Sequence, residues 1–544
     1  MSVQPFVNAK ILIVEEQQLA LSYIKQSLDQ LAYKNVQFAE NAQLAKESCI
    51  HHKFDLIICS FDLSKRQNGY QLYEELLKKR LIRQSTGFIF TSAETSPELV
   101  HSIVELQPDD FLVKPFSIKE LKARIERVLK RKRSLKTLYN LIDDENYSKA
   151  LKLINSELES GEHAYSPILL KLKGETLLKL KHYDEAKQFY RSMLELQKFT
   201  WAKLGLVETL IANNEDMLAQ KMLKSLIEKS ETRLAALDLL SRLELKLNQF
   251  EEAQASLVQA SQIAPRNIER QKSLSTVARI NHDYECSYNA QKEIANFARF
   301  SMHDSPEVYL NAARAGIDFA LSTDQHDQIT RLTRQTQQYL SDLKKQFPNA
   351  NNQTQIDVLN ARLHYLKDEH TKARQLMEQL EDEPQIRSVD AALDKAKAFH
   401  ELGFQHKAEA LFGQIITHCE RHQQQDDPTF MHLLQQQQDE RRHITMGPKE
   451  LNNHAVKQFQ KGQLDVALEA FTQAFRVMPK NASIALNLLQ CLADATGKKA
   501  ATFNSNLAAK CYKTLSAAQL EPEQQERFDK LQAQLEEMNL DFRP

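Results

Sequence analysis

Glycine is scarce, at 11 of 544 residues, about 2% against a usual share near 7%. Hairpin-rich β architecture draws on glycine at its turns, so the composition points to a chain that is mostly helix. The six cysteines, Cys49, Cys59, Cys286, Cys419, Cys491 and Cys511, show no CxxC spacing. That argues against a structural zinc or a disulfide framework and fits a reducing cytoplasm. No apolar run approaches the roughly 20 residues that a membrane helix needs, and residues 11–14 are too short for the core of a signal peptide. An excess of one charge is missing too. The formal net charge is −1, with 20 Lys and Arg against 16 Asp and Glu in residues 1–135 and 51 against 56 in the remainder. Nothing in that balance draws the whole chain to nucleic acid or to an anionic membrane. The 17 histidines show no HExxH spacing, there is no P-loop lysine motif, and His51-His52 reads as an exposed helix end. What remains is a cytoplasmic, non-enzymatic, largely helical chain, too long for a single core.

The most informative stretch is residues 54–69, FDLIICSFDLSKRQNG. Leu56, Ile57, Ile58 and Cys59 form a short continuous apolar run, as in a strand buried on both faces, and a turn-rich segment ending in Gly69 follows. In an open parallel sheet the binding crevice lies at the carboxyl ends of the strands, which places Ser60 at the site. Further strands are expected at residues 10–14, 36–39, 87–91 and 111–113. Helices are expected at 17–31, 42–51 and 70–81, from Ser96 and from Ser117. Five strands alternating with five helices imply a doubly wound, five-stranded parallel sheet of the α/β class.

Four motifs then stand in order: Val14-Glu15-Glu16, the run ending at Ser60, Thr91-Ser92-Ala93, and DDFLVKPF over residues 109–116. Together they make residues 1–133 resemble the receiver domain of bacterial response regulators. The resemblance implies transfer of a phosphoryl group from a phosphohistidine to an aspartate, with Mg²⁺ on an acidic pair. Here Ser60 occupies the phospho-acceptor position, and the acidic pair is Glu15 and Glu16. The resemblance further implies phosphate-sensing and switch roles for Ser92, Phe111 and Lys114, and a cis peptide at Lys114-Pro115. A serine hydroxyl has no neighbouring base in this sequence to activate it, and its phosphate ester would be far longer lived than an acyl phosphate. Losing the aspartate removes an oxygen ligand and a charge, and the longer glutamates displace what is left, so Mg²⁺ binding is expected to be weak or vestigial. Asp62, two residues on, is a substitute acceptor if the strand continues and a solvated loop charge if it does not. The simpler reading pairs Lys114 with Glu15 or Glu16, puts Phe111 in the core and locks the domain. The basic cluster at residues 130–133 is read as favourable charge at a helix C-terminus.

No DNA-binding module follows. Instead Tyr147/Ala150, Tyr183/Ala186, Asp216/Ala219, Phe250/Ala253 and Tyr284/Ser287 place a small residue three positions after a larger one, at separations of 36, 33, 34 and 34 residues. Gly174 and Tyr190 complete one copy. The clearest copy is Leu451, Ala455, Gly462, Leu464, Ala467, Phe471, Ala474 and Pro479, and weaker copies centre on Ala361/Ala373 and Ala396/Ala408/Phe412. A period near 34 resembles the tetratricopeptide repeat, in which small residues let paired helices approach closely.

The expected organisation is therefore a receiver-like domain over 1–133, repeats over 134–420, a Gln-rich linker or frayed helix over 421–449, and repeats with a capping helix over 450–544. The repeats are expected to fade over residues 288–350, around Arg331 and Arg334. Met431, Leu433 and Leu434 are candidates for docking a partner, and Lys171, Lys173 and Lys203 for clamping an acidic tail. The functional expectation is a signalling adaptor that binds proteins through the repeat surface, with a histidine kinase or phosphotransfer protein as the partner implied for the receiver. Two other readings are a working phosphorelay receiver modified on Asp62 and an RNA-binding helical array. The acidic balance of the repeats counts against the second.

Overall fold

The computed structural model describes residues 6–63, 66–94, 96–161, 164–197, 199–380, 386–421, 428–442, 444, 446–497, 503–538 and 540–543. By its packing the chain divides into two compact units. One is Met1–Arg270 with Asn296–Asp304, the other Gln271–Ala295 with Ser305–Pro544.

The first unit begins with the expected parallel sheet. Its elements are β1 (Lys10–Val14), α1 (Gln18–Gln30), β2 (Asn35–Ala39), α2 (Ala42–His51), β3 (Leu56–Ser60), α3 (Gly69–Lys78), β4 (Gly87–Ser92), α4 (Pro97–Glu105), β5 (Asp110–Val113) and α5 (Ile118–Ser134). The strands lie in the order β2-β1-β3-β4-β5, all parallel. The direction of winding reverses between β1 and β3, which puts a crevice beyond their carboxyl ends. Strand alternation sorts the core into two layers. Leu12, Val14, Ile57, Cys59, Phe88 and Phe90 meet α2, α3 and α4 on one face, while Ile11, Ile13, Leu56, Ile58 and Ile89 meet α1 and α5 on the other.

Helix α3 starts hard against the end of β3. Asn68 and Gln71 form a capping box there. Gly69 is required by the approach, since a Cβ on it would lie 2.3 Å from the Ser60 carbonyl oxygen.

Paired helices follow in the first unit: α6 (Lys136–Asp143) with α7 (Tyr147–Glu159), α8 (Ser166–Lys179) with α9 (Tyr183–Leu196), α10 (Thr200–Ala212) with α11 (Asp216–Ile227), and α12 (Ser230–Lys246) with α13 (Phe250–Ile263). Then come α14 (Ile268–Ile280) and α15 (Tyr284–Ala298). Each large residue of the sequence period opens the second helix of its pair, and the small residues Ala150, Ala186, Ala219, Ala253 and Ser287 are all buried. Gly174 and Gly205 show why small residues are needed: a Cβ on either would lie within 2.5 Å of the Tyr190 ring, which fills the space between α8 and α10.

The second unit continues with α16 (Pro306–Ser322), α17 (His326–Gln346), α18 (Gln353–Leu366), α19 (His370–Glu378), α20 (Val389–Glu401), α21 (Gln405–Arg421), α22 (Pro428–Arg441), α23 (Pro448–Gln460), α24 (Leu464–Val477), α25 (Ala482–Gly497), α26 (Ser505–Ala517) and α27 (Pro522–Glu537). Helices α16, α18 and α20 lie side by side. The charged C-terminal helix α27 packs Phe528, Leu531 and Leu535 into the terminal core.

Two expectations are corrected here. Helix pairing does not fade over residues 288–350: α16 and α17 form a pair, and Arg331 and Arg334 sit on the exposed face of α17. That helix is 21 residues long, so the small-residue spacing is lost while Leu332, Thr336, Leu340 and Leu343 still bury one stripe. Nor is the stretch 421–449 a linker throughout. Residues 422–427, 443 and 445 lie outside the described residues, but α22 is a packed helix with Leu433 and Leu434 fully buried.

A second periodic signal was not anticipated. Glu145, Lys181, Asn214, Asn248, His282, Asp368, Gly403 and Gly462 all have positive φ, and each stands two residues before the second helix of a pair. The following amide bonds back to the previous helix each time, for example His182 N to Leu177 O at 3.0 Å and Glu215 N to Leu210 O at 2.8 Å. This is the left-handed C-terminal cap of the Schellman type, which turns the chain sharply into the next helix.

Candidate functional site

The site lies at the carboxyl ends of β1, β3, β4 and β5. Ser60, the last residue of β3, and Glu15, the first after β1, are each only 1% exposed. Lys114 follows β5, and its backbone amide donates to Ser92 O at 2.8 Å, which fixes the start of its side chain. Its ammonium lies 2.6 Å from Glu15 Oε2 and donates to Ser60 Oγ at 3.0 Å. The other Glu15 oxygen accepts the Gln17 amide at 3.1 Å. One cation therefore binds the carboxylate and the hydroxyl together. Beside them the Cys59 thiol is pushed well above its ordinary range, by burial first and then by the Glu15 charge.

The remaining candidates separate from this group. Glu16 is exposed. Asp62 lies in the loop after β3, exposed, and accepts the Ser92 hydroxyl at 3.2 Å. The same hydroxyl accepts the Glu94 amide at 3.0 Å. Phe111 is half-buried against the core layer that contains Phe90. The Lys114-Pro115 bond is cis.

A divalent cation fits this donor set poorly. It needs several free oxygens in near-octahedral array, whereas Glu15 is engaged by Lys114 and Glu16 faces solvent. Among the described residues no group of three or more His, Cys, Asp or Glu is placed to hold a metal. The hydrogen bond that reaches the Ser60 oxygen comes from the Lys114 ammonium, a donor and not a base.

Phe61, next after Ser60, and helices α3 and α4 meet residues of the first unit that periodicity and motif had not marked. The Arg266 guanidinium lies 5.4 Å from the Phe61 ring and 5.3 Å from the Phe297 ring. Gln71 donates to Phe297 O at 2.8 Å and Arg299 O at 3.3 Å, and Glu74 meets His303 at 3.2 Å. Burial alone would raise the Glu74 pKa, but hydrogen bonds from His303 and Lys78 outweigh it and hold the carboxyl low. At the end of α4, Glu105 takes Asn267 and Arg270, the latter at 2.7 Å, while Arg270 also grips Asp238 at 2.7 and 2.8 Å. On another side Arg80 meets Glu145 at 2.6 Å and the Gln84 amide donates to Asp143 at 3.0 Å.

Several charges of the patches read from the sequence have partners within the chain, although Lys130 and Arg133 are exposed. Lys132 donates to Gln84 O at 2.6 Å and covers the Tyr139 ring, and Arg131 pairs with Asp109. Lys171 pairs with Glu175 at 3.7 Å and Lys173 stands over Phe189, while Lys203 is half-buried on α10. His51 and His52 are exposed at the end of α2.

A family model of the response regulator receiver domain matches residues 11–126, and one of the tetratricopeptide repeat matches residues 172–199. The chain carries a receiver domain joined to tetratricopeptide repeats. Among similar proteins, the nisin biosynthesis regulatory protein NisR of Lactococcus lactis subsp. lactis is 32% identical over 122 residues, 22% of this chain and 51% of that protein. The response regulator ArlR of Staphylococcus aureus is 33% identical over 122 residues, 22% of this chain and 53% of that protein. The chain thus spans about half the length of the curated relatives it matches. The receiver domain of a Francisella response regulator is 26% identical, covering 23% of this chain and 98% of that one, with a TM-score of 0.21. Among the described residues no helix is long and apolar enough to cross a membrane.

Proposed function

We propose that this chain is a cytoplasmic, non-enzymatic signalling adaptor whose receiver domain works without phosphoryl transfer and whose repeats recruit other proteins. The observation that supports it most is the Lys114 ammonium, shared between Glu15 at 2.6 Å and Ser60 at 3.0 Å. In that arrangement the lysine already has its anion, the carboxylate that would bind a metal is neutralised, and the hydroxyl has nothing to take its proton. The contacts of Arg266, Gln71 and Glu105 then favour a domain held in one docked state on the repeats. A histidine kinase or phosphotransfer protein remains a partner for binding and not for chemistry in this reading.

The test is to incubate the full chain with acetyl phosphate and Mg²⁺ and weigh it under acidic conditions. No mass increase is expected, and an acid-stable, base-labile adduct would overturn the reading. The Ser92 hydrogen bond to Asp62 favours one rival, in which Asp62 is the acceptor and Ser92 contacts its phosphoryl group. An adduct mapped to Asp62 would establish that rival.

A further inference from the structure

Helix α20 is buried nearly all the way round. Leu393, Asp394, Ala396, Lys397, Ala398, Phe399, His400 and Glu401 are all inside. A helix in a two-layer repeat array keeps one face in water, so four buried ionisable side chains mean that its polar face is covered. Neighbouring first helices supply part of that cover. Arg362 of α18 takes Asp394 at 2.6 Å and Glu401 at 2.6 and 2.9 Å, and Asp318 of α16 takes Lys397 at 2.6 Å.

Helix α22 supplies more. Its Leu434 packs with Leu393 and Ala396 of α20 and with Phe412 and Ile415 of α21, and Leu433 beside it is fully buried. Farther along, Gln436 donates to Ile280 O at 3.0 Å and Glu440 lies 2.9 Å from His282 Nε2, at the turn between α14 and α15. The 14 residues of α22 span about 21 Å at 1.5 Å per residue, so one helix bridges two separate parts of the unit. The chain beyond it returns over α18, where Glu450 accepts the Tyr365 hydroxyl at 2.8 Å.

Two features separate this helix from an ordinary member of the array. Several of its polar bonds are its own: Gln436 to Glu440 at 2.7 Å and Arg441 to Gln437 at 2.9 Å go with it wherever it lies. The ionic cluster beneath is closed without it, because Arg362, Asp318, Asp394, Lys397 and Glu401 pair among α16, α18 and α20. Removing α22 therefore exposes an apolar groove but leaves no buried charge unpaired there, and a buried unpaired charge is what makes removal of a packed element most costly.

We propose that α22 is a built-in ligand in a helix-binding groove formed by α20, α21 and the α14–α15 turn. A partner helix with adjacent leucines, then glutamine, then an acidic residue facing His282 takes its place. The inference deepens the reading of the repeats as a protein-recruiting surface, since it names the groove and the kind of helix it accepts. It commits to a helix from another protein seated as α22 is seated.

The test is a fluorescent peptide of residues 428–442 titrated into the full chain and into a Leu433→Asp, Leu434→Asp variant that ejects the resident helix. The variant is expected to bind saturably and at least about tenfold more tightly than the unaltered chain, and a peptide carrying both aspartates is expected not to bind. A folded variant that ignores the peptide overturns the proposal. So does a concentration-dependent dimer of the unaltered chain in which α22 is exchanged between copies. Hydrogen exchange of the unaltered chain guards against a variant that fails to fold. The amides of α22 are expected to exchange through openings that leave α20 and α21 protected, and exchange of all three helices together overturns the proposal. None of these measurements involves the receiver domain, so their failure leaves the acetyl phosphate result unaffected.

Discussion

Replacing Lys114 by Met tests whether the shared cation holds the receiver domain in place. The substitution keeps most of the side-chain volume and removes the charge. Glu15, 1% exposed, is left with the Gln17 amide as its remaining bond. At the observed 2.6 Å, Coulomb attraction at an effective dielectric near 20 is about 6 kcal/mol. Desolvation of both ions offsets part of that, and breaking a buried pair by deleting one partner costs about 3–5 kcal/mol. Lys114 retains some solvent contact, which places the expected loss at the lower end, about 3 kcal/mol. Ser60→Ala removes one hydrogen bond to a charged donor and is expected to cost about 1 kcal/mol. Glu15→Gln combined with Lys114→Met leaves no unpaired charge and is expected to recover about 2 kcal/mol, a coupling that only a double-mutant cycle isolates. A chain of several units does not unfold in one step, so the readout is hydrogen exchange at peptides covering β1 and β3. Protection unchanged by Lys114→Met, or a double variant no better than the single one, refutes the reasoning.

Three further outcomes are expected. His400 is neutral in the fold because its pKa is pushed from 6.5 to about 3, by burial first and by the Arg441 charge second. The unfolded state then binds more protons between those values, so this contribution is complete above about pH 6.5 and is lost as the pH falls toward 3. The step from pH 7 to 5 removes about 2 kcal/mol, seen as the difference in hydrogen exchange of peptides covering α20 between the unaltered chain and His400→Gln. Gly174→Ala puts a Cβ 2.4 Å from the Tyr190 hydroxyl and is expected to destabilise by about 1–3 kcal/mol, with Tyr190→Leu in the same chain restoring part of it in hydrogen exchange of peptides covering α8 and α9. Lys181 holds φ 59° before α9. Lys181→Gly relieves about 1 kcal/mol of backbone strain and gives part back through the freer unfolded chain, so a rise of about 0.5 kcal/mol in the hydrogen-exchange protection of α9 is expected.

The five-stranded sheet was legible because each strand is a short apolar run, and burial on both faces leaves such a run few alternatives. The repeats up to Ser287 were legible because close approach of helices admits only small side chains at a fixed spacing, as Gly174 and Gly205 show against Tyr190. The eight left-handed caps were not legible, since six of them fall on Glu, Lys, Asn, His or Asp and not on glycine. The α16–α17 pair was missed because a longer second helix breaks the period without weakening the packing. Helix α22 was read as a linker or frayed helix because its glutamines carry little apolar periodicity, and two adjacent leucines are enough to seat it only once α20 and α21 are in place.

Residue types alone determined that Ser60 closes a short apolar run at the end of a buried strand, since side-chain chemistry is local to the chain. They also determined that the N-terminal segment is a parallel sheet and that most of the rest is paired helix, because those patterns repeat over short distances. Which acid the Lys114 ammonium would choose, which arginine would reach Phe61, and what would cover α20 were decided only by the tertiary structure. Each depends on residues tens to hundreds of positions apart meeting within a few ångströms, and no local period encodes that meeting.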